Sequence, residues 1–177
     1  MSTQHYPPLH VASPRPYYIV APAYRHNSAG IRVMHMLCHL LNRCGQDAYL
    51  YSSTTNPMWH TPLLTNELRQ QHEQAGRQPI VVYPEVVSGN PTKARSVVRY
   101  LLNVPGLIAG DTEFADSEMI FAYGEHLLPK GAGAERILFL PPIDTSLFNN
   151  LDNAYDSHRK GWLIYPGRHT HALQELS

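Results

Sequence analysis

Cysteine is scarce in this chain, which has only Cys38 and Cys44. Six residues of helix would hold them roughly 9 Å apart along the axis, too far for a bridge in place. Two isolated thiols suit a reducing, cytoplasmic compartment. Net charge is also missing: the formal value is +0, so no global field steers the chain to nucleic acid or to an anionic membrane. Eleven histidines nevertheless make the charge sensitive to pH below about 6.5. No segment approaches about 18 consecutive apolar residues, which argues against a transmembrane helix. The first sixteen residues are polar, hold four prolines and contain no apolar run. They read as a disordered lead-in, neither signal peptide nor membrane span. The phosphate fingerprints are absent too: there is no G-x-G-x-x-G and no Walker lysine after a glycine loop. Nothing resembles a nucleophile–His–Asp triad.

What is present is enough for one full core and hardly two, with 177 residues of which 43% are hydrophobic. Residues 17–21, Tyr-Tyr-Ile-Val-Ala, form a short β-favouring run. After a polar loop, a helix is predicted over 29–44, because its apolar residues cover more than half of the circumference. That arc suits packing on a sheet, and Cys38 and Cys44 fall within it. Asn27 or Ser28 can cap its start, Arg43 suits its last turn, and Gly45 can close it with a left-handed residue. Residues 47–51 read as a second strand and 63–75 as a polar helix. Ile80-Val81-Val82-Tyr83 is a β-branched run that reads as a strand buried on both faces. Pro91 suits the first turn of a helix running to Asn103. Its apolar face is Ala94, Val97, Val98, Leu101 and Leu102, while Lys93, Arg95 and Arg99 point away. Strands are expected at 119–123 and 136–140, the first preceded by an acidic loop at 111–118.

Strands alternating with helices imply an α/β fold, a Rossmann-like, doubly wound parallel sheet. The expected organisation is a lead-in over 1–16, a Rossmann-like domain over 17–150, a polar linker over 151–160 and the start of a second domain over 161–177. Ligands of such sheets sit beyond the C-terminal strand ends. Two loops qualify. In residues 22–30, Gly30 lets backbone amides approach a ligand and the helix dipole favours an anion; a plain capped turn is the alternative. In residues 85–90, Glu85 either takes a hydroxyl proton, binds sugar hydroxyls or is simply solvated. His35 and His39 have the spacing of a helical metal half-site. They share a polar stripe with Arg32 and Arg43 and lack a third ligand, so they read as exposed histidines. Lys93, Arg95 and Arg99 read as a solvated basic edge, with contact to lipid phosphates as the alternative.

Three segments together resemble the GT-B glycosyltransferases, especially the retaining enzymes of the family 4 type. Residues 28–51, from Ser28-Ala29-Gly30 to Tyr49-Leu50-Tyr51, look like their first glycine loop, long helix and second strand. Leu140-Pro141-Pro142-Ile143-Asp144, ending in Phe148, looks like their strand and Pro-Asn-Gly-Val-Asp-type turn. Trp162 to Arg168 looks like the first strand of their second domain with its Gly-Arg turn. The resemblance implies one half of a GT-B architecture, the N-terminal acceptor-side domain of a hexosyltransferase. The full enzyme would move sugar from a nucleotide-sugar donor to a glycan or lipid-linked acceptor. Ser28, Ala29 and Gly30 would lie on the phosphate side, and Arg168 would neutralise the leaving diphosphate, where charge grows as the glycosidic bond breaks. The nucleotide sugar is a co-substrate, and neither cofactor nor metal is implied.

Polysaccharide biosynthesis in the cytoplasm, with peripheral contact at the inner membrane face, is the associated setting. The sequence departs from the family at the glycine pair, here Ala29-Gly30, and no lysine follows Arg168 at the customary short spacing. It also stops at Ser177, before an acidic donor-sugar motif, so these residues are expected not to transfer sugar alone. The rival reading is a non-catalytic α/β binding or interaction module.

Overall fold

The computed structural model describes residues 11–143. The chain divides into two units, Met1–Pro142 and Ile143–Ser177, and the description concerns the first. Five strands form one sheet in the order β2-β1-β3-β4-β5, with every pairing parallel. In chain order the elements are β1 (Tyr17–Val20), α1 (Ala29–Arg43), β2 (Ala48–Tyr51), α2 (Asn66–Gln74), β3 (Ile80–Pro84), β4 (Ser96–Leu101) and β5 (Met119–Ala122). Two single 3-10 turns follow, at Glu125–Leu127 and Ala134–Arg136. The fold is α/β and Rossmann-like. Among the described residues, no helix is long and apolar enough to cross a membrane.

The wide apolar arc of α1 does what its periodicity predicts. Val33, Met34, Leu37 and Cys38 pack with Ile19, Ala48, Leu50, Val82 and Tyr100 on one face of the sheet. Burial pushes the Cys38 thiol up to about 12, whereas Cys44 is exposed rather than core-facing. The helix closes at Gly45, whose φ is 77°. Gly45 N–H donates to Asn42 O and Gln46 N–H to Leu41 O, the paired bonds of a Schellman end. Asn42 then clamps the incoming strand, donating to Ala48 O at 2.8 Å and accepting from Ala48 N at 3.2 Å. On the opposite face Tyr18, Val81, Tyr83 and Val97 form a second cluster. The helix α2 contributes His72 there, whose Nδ1 lies 2.8 Å from the Tyr18 hydroxyl.

The lead-in is tied down where it is described. Ser13 N donates to Gln46 Oε1 at 2.8 Å, Arg15 donates to Gln78 O and Pro79 O, and Pro16 O accepts from Ile80 N.

Two sequence expectations are corrected. Residues 91–103 are not a helix; they make a turn at 90–94 and then β4. Their apolar residues satisfy helical spacing only because the strand is covered on both faces, so the pattern loses its alternation. Val97 and Arg99 lie on the α2 face and Val98 and Tyr100 on the α1 face, wedged between β3 and β5. The strand expected over 136–140 is reduced to one bridge, Ala122 to Ile137. Leu138 N still donates to Ala122 O at 2.8 Å, but Leu138 O accepts the Tyr100 hydroxyl. Pro141 and Pro142 then bring no N–H to a ladder.

Candidate functional site

The C-terminal ends of β1, β3 and β4 share one edge of the sheet, where such folds place ligands. The loop after β1 leads to Ser28, the N-cap of α1. Its backbone is extended, its side chain caps nothing, and the first turn carries no acid. The first amides of a helix have no intrahelical acceptor, so this helix start presents donors and a positive dipole end to whatever faces it. Ala29 is exposed and Gly30 half-buried. A β-carbon at Gly30 would meet only Leu102 Cδ1, at 3.7 Å, an ordinary contact. Neither packing nor backbone angle therefore requires glycine there.

Leu102 connects the two sequence-predicted loops. Its amide donates to Glu85 Oε2 at 2.9 Å, and Glu85 is only 4% exposed. Burial raises the Glu85 carboxyl above the usual carboxylate range, and the amides of Leu102 and Asn103 offset part of that rise. Glu85 is thus held at the head of β3 by the backbone that leaves β4. Ser28, Ala29, Gly30 and Glu85 do come together on one edge. Arg168 lies outside the described residues.

Sequence reasoning missed the groups around this edge. Arg32, one turn into α1, donates to Pro142 O, while its Nε is buried without a partner among the described residues. An orphaned charged donor costs about 1–3 kcal/mol or more until an acceptor reaches it. His35 is not exposed but fully buried. Its Nε2 lies 3.0 Å from Pro22 O, so that nitrogen carries the proton. Its Nδ1 has no partner among the described residues. Burial lowers the His35 pKa, with the Pro22 bond opposing. His39 does not join it in a metal half-site: its Nδ1 accepts the His60 amide at 2.9 Å, and its ring stacks on Trp59. Among the described residues, no group of three or more His, Cys, Asp or Glu could hold a metal ion.

Trp59 belongs to an aromatic cluster at the same edge. Tyr24, from the β1–α1 loop, meets His35 edge-on at 5.2 Å and Trp59 at 5.8 Å between ring centres. Asn56 donates to the Tyr24 hydroxyl, and Ser52 ties the β2 loop to Pro22 O. The eleven tyrosines are too scattered in sequence to single out Tyr24; only the meeting of two loops does so.

The loop after β3 is fastened from beneath by Arg99, which is 1% exposed and not part of a solvated basic edge. It pairs with Glu118 at 2.6 Å, donates to Val87 O at 2.5 Å and to Gly89 O, and lies over the rings of Tyr83 and Phe114, each 5.0 Å away. A β-carbon at Gly110, where φ is +86°, would stand 2.1 Å from Glu85 O. The loop after β4 therefore presses directly on the Glu85 backbone. No family model matches the chain, and no curated protein or solved structure matches it either.

Proposed function

We propose that this chain is the acceptor-side half of a GT-B glycosyltransferase, working with a nucleotide-sugar donor and a glycan or lipid-linked acceptor. The observation that supports it best is the composition of the C-terminal sheet edge. There an uncapped, acid-free helix start, an Arg32 Nε with no partner among the described residues and the Tyr24–Trp59 aromatics share the edge with Gly30 and the buried Glu85. Donors at a helix start suit a phosphate, and aromatic faces beside polar groups suit the apolar face of a sugar ring. In this reading the acceptor sugar rests against Trp59 and Tyr24. The α1 amides and Arg32 meet the negative charge that develops on the departing diphosphate, a role that the family resemblance also assigns to Arg168. Glu85 fixes the geometry of the edge and keeps carboxyl chemistry within reach. The setting we propose is the cytoplasmic face of a membrane, where a lipid-linked acceptor presents its sugar.

The test is titration of the 15N-labelled chain with a panel of mono- and oligosaccharides and with UDP- and GDP-sugars. Saccharides should shift the Trp59 indole and the Gly30 amide, and Trp59→Ala should abolish the shifts. Gly30→Ala, which the fold accommodates, should leave Tm unchanged or higher while weakening any phosphate-bearing ligand. If no saccharide moves either signal, the edge belongs to a non-catalytic interaction module instead.

A further inference from the structure

The sheet face opposite α1 holds a cavity of about 220 Å³ between α2 and the β3–β4 turn. Tyr18 and Val81 lie at its base, and its lining brings together Arg69, Arg77, Lys93 and Arg95 with a single acid, Glu73. Arg77 is already committed, pairing with Asp47 at 2.5 Å and donating to Pro14 O at 2.9 Å. The other three cations are exposed and make no ion pair among the described residues. Arg69 is oriented by the Tyr51 ring, 5.9 Å below its guanidinium. These three face one carboxylate, so positive charge is left uncompensated.

Lys93 adds an independent indication. It is the one non-glycine residue with positive φ among the described residues, at 54°, a conformation that glycine would adopt without strain. The turn that imposes it is rigidly built. Lys93 N donates to Asn90 O, while the Asn90 side chain both accepts from Ala94 N and donates to Ala94 O. The Tyr83 hydroxyl braces Asn90 and Thr92. A lysine thus stands, in a conformation suited to glycine, at the rim of a cationic cavity. Strain of this kind gathers at ligand clamps.

We propose that this cavity binds a phosphate group through Arg69, Lys93 and Arg95. Guanidinium forks and a lysine point charge are the side chains that grip phosphate oxygens. The volume falls below the roughly 300–1,000 Å³ of clefts for drug-sized ligands. It fits a free pyrophosphate or the headgroup of an anionic lipid rather than a whole nucleotide sugar. The site lies on the sheet face opposite α1 and rests on none of the chemistry proposed at the C-terminal edge.

The test is calorimetric titration of the full chain with sodium pyrophosphate at low ionic strength. Parallel co-sedimentation uses vesicles of phosphatidylglycerol with phosphatidylcholine, or of phosphatidylcholine alone. Saturable pyrophosphate binding is expected, weakened about tenfold or more in Arg69→Ala/Lys93→Ala/Arg95→Ala and unchanged in Lys130→Ala. Phosphatidylglycerol-dependent sedimentation lost in the triple variant identifies a lipid headgroup as the source. Pyrophosphate binding without sedimentation identifies a free phosphate. Lys93→Gly relieves the backbone and removes the charge, so it should keep or raise Tm while weakening binding severalfold. The proposal is overturned if the wild type binds neither probe, if the triple variant binds as well as the wild type, or if Lys93→Gly leaves affinity intact.

Discussion

Arg99 shows how much a single residue can carry in this fold. Its sequence neighbourhood suggests a solvated charge, yet it is buried between two aromatic rings, ion-paired to Glu118 and bonded to two loop carbonyls. Breaking a buried pair by removing one partner costs about 3–5 kcal/mol, because the other charge is left without compensation. Arg99→Met should therefore lower the urea midpoint sharply. Adding Glu118→Leu should recover part of the loss, and a double variant no better than the single would argue against the ion pair as the cause. The charge of Arg99 was plain in the sequence. Its burial was not, because burial depends on Glu118, nineteen residues away, and on carbonyls of another loop.

At the scale of elements, the local rules were legible wherever one face of an element decided its pattern. The helix α1, its Schellman end and the strand β3 were readable because a periodic apolar arc, a glycine and a β-branched run each carry their own signal. The strand β4 was not. Val97, Val98, Leu101 and Leu102 fit a helical face as well as a strand covered on both sides, and only pairing with β3 and β5 separates the two. The loop after β4 makes a related point. Gly110 has a left-handed backbone and almost touches the Glu85 carbonyl. Gly110→Ala should cost about 1–2 kcal/mol for the backbone conformation alone, and more for displacing the loop. Thermal melting gives the loss of stability, and the Leu102 amide shift reports whether its bond to Glu85 has moved.

For the whole molecule, two buried histidines and the half-buried His39 set a pH dependence. His35, His39 and His72 all have lowered pKa values, with burial the largest cause in each. The unfolded chain therefore binds protons more readily than the folded one below about 6.5. The stability from keeping these rings neutral is complete above that pH and is lost as pH falls toward the folded values. Glu85 acts in the opposite sense, since its raised pKa penalises the charged carboxyl above the usual carboxylate range. Urea midpoints should fall between pH 7.5 and 5.5, and His35→Gln should flatten the decline. A midpoint that rises over that interval would mean that Glu85 outweighs the histidines.

The sequence by itself determined the α/β class, the long amphipathic helix, the first strands and the edge on which Ser28, Ala29, Gly30 and Glu85 would meet. Each of these follows from local periodicity, or from the rule that parallel strands open their ligand edge at their C-terminal ends. Tertiary structure alone decided that residues 96–101 are a strand and that Arg99, Glu85 and His35 are buried. It alone set Tyr24 against Trp59 and gathered Arg69, Lys93 and Arg95 around one cavity. The reason is that burial and charge clustering depend on residues distant in the chain, and no window of sequence holds both partners at once.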